Sequence, residues 1–154
     1  MGTLYAHPDY AKAYLRIAME YGIPANAIKI SNPAIVAKFR EKGHLITDDL
    51  VEFMIDYTLP KLDYFTSAPH GNTYDEKEEA LKELINSLRP GLTEIIFHPS
   101  EETDQLKTIT NSWKQRKWEA QMFDDPDLIQ FFKDEELIFT NWKEIMKRFK
   151  KIRR

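Results

Sequence analysis

The sequence predicts an α/β protein in which a parallel sheet, open or partly barrel-like, is flanked by helices. Two observations support this class. Stretches with the apolar spacing of helices alternate along the chain with short runs of strand-forming residues. The 154 residues, 42% hydrophobic and 31% charged, also have the size and composition of one globular domain. No repeat or long linker divides the chain, so residues 1–154 are expected to form a single domain.

The first predicted helix carries one apolar stripe and ends at Gly22 and Pro24. A short strand is expected at residues 27–30. Asn32 then caps a second helix that begins with Pro33. The stripe of the first helix comprises Tyr10, Tyr14, Ile17, Ala18 and Tyr21, and the second helix directs Ile35, Val36 and Phe39 inward.

The middle of the chain predicts a third helix, a strand and a fourth helix. Thr47 or Asp48 caps the third helix, and residues 62–67 have the character of a strand. Thr73 and Glu76 have the spacing of a capping box, which predicts the start of the fourth helix. The inward residues of the two helices are expected to be Leu50, Phe53, Met54 and Tyr57, and Leu81, Leu84, Ile85 and Leu88.

A turn at Pro90 and Gly91 leads into the next predicted strand, which ends at His98. A helix is expected from about residue 102 or residue 111 through Met122, and a shorter one begins at Asp125. The last predicted elements are a strand at residues 137–140 and a helix capped by Asn141, with apolar positions at Trp142, Ile145, Met146 and Phe149.

The segment TEIIFHPS, residues 93–100, is the strongest functional signal. Its strand-forming residues stop at His98, and Pro99 cannot continue a sheet ladder. A histidine at the end of a buried strand is one way in which α/β enzymes present a catalytic imidazole. The alternative is a partly buried histidine whose ring binds a backbone carbonyl.

Composition excludes several classes of protein. The net charge is −3, and residues 147–154 carry six basic side chains. Because the remaining chain is acidic, this tail is interpreted as a helix C-terminus, and no nucleic-acid partner is expected. The chain has no cysteine, no signal peptide and no apolar run near the roughly 20 residues that cross a bilayer. A cytoplasmic protein without a membrane partner is therefore expected.

Standard catalytic motifs are absent. The five glycines form no phosphate-binding loop, and the four histidines form no metal-ligand pair at helical spacing. Arg116 follows Trp113 by one helical turn, where it either binds an anion or forms a surface ion pair. Trp142 is either a core residue or a platform for a sugar.

The segment TEIIFHPS, the stretch of residues 106–145 and the first 25 residues together resemble the C-terminal part of the ChbG/YdjC-like carbohydrate deacetylases. In that family a glutamate and His-Pro end a strand, and a Ser-Trp-x-x-Arg stretch follows. The resemblance implies a hydrolase that removes acetyl groups from N-acetylated sugars on a distorted (β/α) barrel. His98 would protonate the leaving amine or hold the tetrahedral intermediate, and Arg116 would steady an active-site carboxylate. Glu94, Trp113 and Trp142 would contact the sugar.

The resemblance also implies a divalent metal, Mg or Zn, in the intact family. Its ligands come from an Asp-Asp strand end, a histidine at another strand end and an Asp-Ser-His motif, which lie upstream of the matching segment. The chain is therefore expected to form a partial barrel without the N-terminal strands and to bind no metal tightly by itself.

Two functions remain open at this stage. The chain is either the C-terminal half of a deacetylase or a non-catalytic half-barrel that binds sugar or another copy of itself. A half-barrel exposes a sheet edge and apolar surface. We therefore expect a homo-oligomer, or pairing with a missing N-terminal half.

Overall fold

The computed structural model describes residues 7–30, 33–41 and 43–152. These fall into two compact units, each considered by itself. The first unit comprises Met1–Phe65, Gly91–Thr93 and Thr140–Arg154, and the second comprises Thr66–Pro90 and Glu94–Phe139. The expectation of a single domain stays a prediction. The helices are α1 Pro8–Tyr21, α2 Pro33–Glu41, α3 Asp48–Asp56, α4 Tyr74–Asn86, α5 Asp104–Ile109, α6 Trp113–Asp124, α7 Pro126–Asp134 and α8 Trp142–Ile152, and the strands are β1 Tyr64–Ser67 and β2 Thr93–Ile96.

The two strands pair in parallel, which confirms the α/β class. The N–H of Tyr64 donates to the carbonyl of Leu92 (3.1 Å), and the N–H of Ala68 donates to the carbonyl of Ile96 (2.9 Å). The constant offset of 28 residues between donor and acceptor is the register of a parallel ladder. The barrel-like arrangement stays a prediction, because two paired strands do not close a barrel.

Two of the predicted strands did not form as expected. Residues 27–30 contribute a single parallel bridge between Ile28 and Leu62. Residues 137–140 form no strand, because their backbone completes the end of α7: the N–H of Leu137 donates to the carbonyl of Phe132 (3.2 Å). Glu136, with φ 54°, makes the left-handed turn that breaks the direction of the chain.

In the first unit, α1 packs against α3 through a face that overlaps the predicted stripe only in part: Ala18 is buried and Tyr14 packs against the core, as expected. The expected stripe is wrong for Tyr10, Ile17 and Tyr21, which are 64%, 55% and 71% exposed. Two alanines on the neighbouring face allow a close approach of the helices, and one leucine fills the remaining space. The buried residues of α1 are Ala11, Leu15 and Ala18.

Three of the helix caps predicted from the sequence fall in the first unit, and the structure describes two of them. The Thr47 hydroxyl accepts from the N–H of Leu50 (3.4 Å), which confirms the cap of α3. The amide oxygen of Asn141 accepts from the N–H of Glu144 (3.0 Å) at the start of α8, as predicted. The predicted cap Asn32 lies outside the described residues, as does the predicted inward position of the Ile35 side chain.

The second unit has a core between α4, α6 and α7, formed by Leu81, Ile85, Met122 and Leu128. The hydroxyl of Thr73 accepts from the N–H of Glu76 (3.2 Å), which confirms the start of α4. The carboxylate of Glu76 accepts from the N–H of Asn72 (2.8 Å), so the reciprocal bond reaches one residue further back than in a capping box. The helix expected from residue 102 or 111 is instead two helices, α5 and α6.

No helix in the described part of the chain combines the length and the apolar character needed to cross a membrane.

Candidate functional site

The candidate site lies in the second unit, where the loops after β1 and β2 meet α4 and α6. β2 ends at Ile96 rather than at His98, so the histidine stands on the loop two residues beyond the strand. Its side chain is exposed. Carboxyl ends of parallel strands are where α/β proteins place binding and catalytic groups, because the loops there are free to vary on a rigid frame.

A buried ion pair lies beneath this loop. Nζ of Lys77 on α4 is 3.0 Å from Oε1 of Glu119 on α6, and the two side chains are 0% and 7% exposed. Nζ of Lys77 also donates to the carbonyl of Pro69 (2.6 Å), in the loop after β1. Oε2 of Glu119 accepts from the backbone N–H of His98. One pair of charges therefore binds both strand-end loops to two helices.

Sequence reasoning missed this pair, although a signal was present. Lys77 lies four residues before Leu81, so it occupies the apolar face of α4 at its first turn. Glu119 lies three residues before Met122 on the buried face of α6. A lysine and a glutamate that interrupt two otherwise apolar stripes are candidates for mutual pairing, because an unpaired buried charge is costly.

Gln115 fixes the other strand-end loop to α6. Its Nε2 donates to the carbonyl of Gly71 (2.6 Å), and its Oε1 accepts from the N–H of the same glycine (3.3 Å). A Cβ at Gly71 would lie 2.5 Å from the backbone nitrogen of Lys77 and 2.8 Å from the carbonyl oxygen of Thr73. Only glycine therefore permits this close approach of the loop to the start of α4.

Arg116 lies next to the His98 loop through its backbone. Its carbonyl accepts from the N–H of Ser100 (3.1 Å), the first N–H after Pro99. The side chain is half-buried, and Nε is buried with no hydrogen-bond partner within the described part of the chain. This nitrogen is therefore a buried donor whose hydrogen-bonding capacity is not met by the described residues.

Glu94 and Trp113 also belong to the second unit. Glu94 is half-buried on β2, and this burial raises the pKa of its carboxyl above the usual value. Trp113 is the first residue of α6, and Nζ of Lys107 and Nζ of Lys114 lie 5.0 Å and 5.5 Å from the centre of its ring. Its π-face is therefore surrounded by cations.

Trp142 is placed differently. It is half-buried as the first residue of α8, in the first unit. The structure thus joins the loop that carries His98 to the backbone of Arg116 and places Glu94 and Trp113 in the same unit.

A recess of about 530 Å³ opens elsewhere on the second unit. At its edge the hydroxyl of Tyr74 donates to Oδ2 of Asp125 (2.8 Å). Burial and this bond raise the pKa of the Tyr74 phenol, and the same bond lowers the pKa of Asp125. The bond connects the start of α4 to the cap of α7, where Asp125 also accepts from the N–H groups of Asp127 and Leu128. Its role is therefore explained by the packing of helices.

The described residues do not offer the donor set of a metal centre. No group of three histidine, aspartate or glutamate side chains in the described ranges converges on one point. The nearest carboxylate to His98, that of Glu119, already binds a lysine and a backbone N–H. These residues therefore do not fit a divalent metal as a resident group.

Comparison with known proteins identifies the family. The family model described as YdjC-like protein matches residues 1–134. A carbohydrate deacetylase from Thermoanaerobacter pseudethanolicus is 25% identical over 139 residues, which cover 89% of this chain and 47% of that protein. The chain thus spans about half the length of the curated relative it matches. Since the family model covers most of the chain, this protein belongs to the YdjC-like family.

Proposed function

We propose that the chain supplies the proton-donating side of a carbohydrate deacetylase site, with His98 as the donor. The observation that supports this most directly is the geometry of the loop around Pro99. The N–H groups on both sides of the proline bind α6, at Glu119 and at the carbonyl of Arg116, and the His98 side chain remains exposed. A fixed backbone with an accessible imidazole is what general acid catalysis requires.

The proposed reaction is hydrolysis of the amide of an N-acetylated sugar. Water gives one proton to a base that would come from outside the described residues and adds to the carbonyl carbon as hydroxide. The bond between carbon and nitrogen then breaks, and an amine and acetic acid, which ionises to acetate, are released. The amine nitrogen must gain a proton as that bond breaks, because an amide anion is a poor leaving group. The His98 imidazolium donates this proton and returns to the neutral form, which an imidazole does readily near neutral pH.

The other expected residues take supporting roles in this proposal. Arg116, whose Nε has no acceptor among the described residues, would bind the oxygen that becomes negative in the tetrahedral intermediate. Glu94 and Trp113 would contact the sugar, and Trp142 would do so only if α8 approaches the substrate. A divalent metal, Mg or Zn, would be held by residues other than those described, in agreement with the upstream position of the family's ligand motifs. Enzymes of this kind, without cysteine, suit a reducing cytoplasm.

The test measures acetate release from N-acetylated chitooligosaccharides by a reconstituted form that joins this chain to the residues that would hold the metal, in the presence of Mg²⁺ or Zn²⁺. His98→Ala should lower the rate about 10²–10⁴-fold, the contribution of a general acid. His44→Ala is the matched control, because His44 is an exposed histidine of the first unit that packs on Phe39. Full activity of His98→Ala would remove His98 from the mechanism.

The second candidate is a non-catalytic protein that binds sugar or associates with another copy of itself. It is favoured by the exposed apolar line of α1, formed by Tyr10, Ile17 and Tyr21 at helical spacing. A second copy could cover this line on both partners symmetrically. No acetate release from that reconstituted form, together with a dimer of the chain in sedimentation equilibrium that Ile17→Lys dissociates, would support this function over the first.

A further inference from the structure

We infer that Lys77 and Glu119 are positioning residues that set the backbone of His98 for its function. The inference rests on the proposed role of His98, but its geometry can be tested without any activity. Neither residue touches the imidazole; both act through the loop that carries it. We call Pro69 O, Lys77, Glu119 and the His98 N–H together the strand-end network.

In the strand-end network, each charged side chain binds both its partner and a strand-end loop. Each charged group has one bond to its partner and one to a strand-end loop: Lys77 binds Glu119 and the Pro69 carbonyl, and Glu119 binds Lys77 and the His98 N–H. Removing the pair would therefore take one bond from each of the two loops at the same time. An ion pair that served only to join α4 to α6 would need neither of the backbone bonds.

Pro99 limits the backbone donors that can hold the His98 loop. Proline has no N–H, so the loop has only the donors of His98 and Ser100 around it. The first binds the Glu119 carboxylate and the second binds the Arg116 carbonyl. The two acceptors are three residues apart on α6, which is about one helical turn. The loop is thus held by one turn of one helix at two adjacent points.

Burying the charges of Lys77 and Glu119 costs free energy. Two charges that are 0% and 7% exposed have lost most of their hydration, and apolar residues of similar volume often stabilise a core as well or better. A purely structural contact between α4 and α6 would be served by apolar side chains such as those of the core cluster, Leu81 on α4 and Met122 on α6. The retention of the pair is therefore explained by what it does for the loops rather than by stability.

The experiment compares two double variants that both remove the buried charges. In Lys77→Met with Glu119→Gln, the amide oxygen of the glutamine can still accept from the His98 N–H. In Lys77→Met with Glu119→Leu, that acceptor is gone. The pair Lys82–Glu78 on the same helix, whose side chains are 30% and 18% exposed, gives the control Lys82→Met with Glu78→Gln. Hydrogen exchange of the His98 amide is followed by nuclear magnetic resonance, with thermal unfolding measured on each variant.

If Lys77 and Glu119 position the loop, the variants should differ in the exchange rate of the His98 amide. The Met and Leu variant should exchange its His98 amide about tenfold faster than the wild type, the effect of losing one hydrogen bond to a charged acceptor. The Met and Gln variant should restore much of the protection, and the control should not change it. The folded fraction and the exchange of amides in the α6 helix should be alike in all of them.

Two outcomes would overturn the inference. Equal His98 exchange in the Met and Leu and the Met and Gln variants would show that the acceptor does not hold the loop. Loss of protection throughout the second unit in both would show a merely structural pair. Acetate release by the reconstituted form, measured in parallel, separates the two proposals: a form without activity whose chain shows the expected exchange pattern refutes the function and leaves the positioning intact. If that form is active, the Met and Leu variant should lose kcat more than it changes KM.

Discussion

The interiors of the two units differ in chemistry. The buried residues of the first unit are apolar, from Ala11 and Leu15 on α1 to Leu50 and Met54 on α3. The second unit has an apolar cluster too, but among the described residues it also contains the buried charged pair Lys77 and Glu119. Apolar packing is not directional, whereas a hydrogen-bonded charge fixes particular atoms. The difference indicates that the first unit is organised for packing and the second for placing the strand-end loops.

The largest expected effect comes from breaking the buried pair on one side. Lys77→Met leaves the Glu119 carboxylate buried without its cation, so the free energy of unfolding should fall by about 3–5 kcal/mol. The first unit gives the control Lys12→Met, which removes the partner of Asp49, a carboxylate with a 63% exposed side chain. That change should not move the urea midpoint beyond the error of the measurement. Equal losses in the two variants would contradict the contrast between the units.

The second largest effect on the free energy of unfolding is expected from replacing Gly71, with Gly22 as the comparison in the first unit. Gly71→Ala places a Cβ against backbone atoms of Thr73 and Lys77, so we expect a loss of about 1–3 kcal/mol in unfolding free energy, as for overpacking. Gly22→Ala in the first unit meets nothing within 4 Å, but φ is +64° there. Its cost should be about 1 kcal/mol and should be reduced in Gly22→Asn, since asparagine tolerates left-handed backbone better. Urea unfolding of the three variants checks the order, and a neutral Gly71→Ala would mean that the loop moves away from α4 without cost.

The smallest effect is on acid stability and involves one carboxylate in each unit. Hydrogen bonds from Lys12 and Thr47 lower the pKa of Asp49 from 3.8 to about 2, and hydrogen bonds from Lys107 and Lys117 lower the pKa of Glu102 from 4.5 to about 2. Because the folded-state pKa is depressed, the stabilisation is present above the unfolded pKa and is lost as the pH falls toward about 2.

Asp49→Asn and Glu102→Gln should each flatten the dependence of the urea midpoint on pH within that acidic window. The change should be small and should diminish at high salt, because both groups are exposed. An unaltered slope in both variants would show that these ion pairs do not persist in solution.

Much of the fold could be predicted because its signals are local. A side-chain oxygen at a cap binds an N–H two or three residues away, so Thr47, Thr73, Asp125 and Asn141 mark where helices begin regardless of the rest of the protein. The same holds for the strand that precedes His98, whose residues favour extended backbone and whose continuation Pro99 prevents. Family membership was recognisable for a similar reason, since it rests on the order of short segments.

The remaining features depend on partners far away in the sequence. Tyr10, Ile17 and Tyr21 form as regular a stripe as Ala11, Leu15 and Ala18, and only the close packing against α3 selects the smaller residues for burial. Residues 137–140 have strand-forming character but are used to end α7. Lys77 and Glu119, 42 residues apart, become a pair only when α4 and α6 meet.

The sequence by itself thus determined the α/β class, most helix starts, the family and the strand that precedes His98, because each depends on neighbours along the chain. Tertiary structure alone decided which face of α1 is buried, that His98 lies two residues beyond β2, and that its backbone is held by Glu119 on α6. The physical reason is that burial and long-range hydrogen bonds depend on which surfaces meet, and that choice is made by the packing of the whole unit.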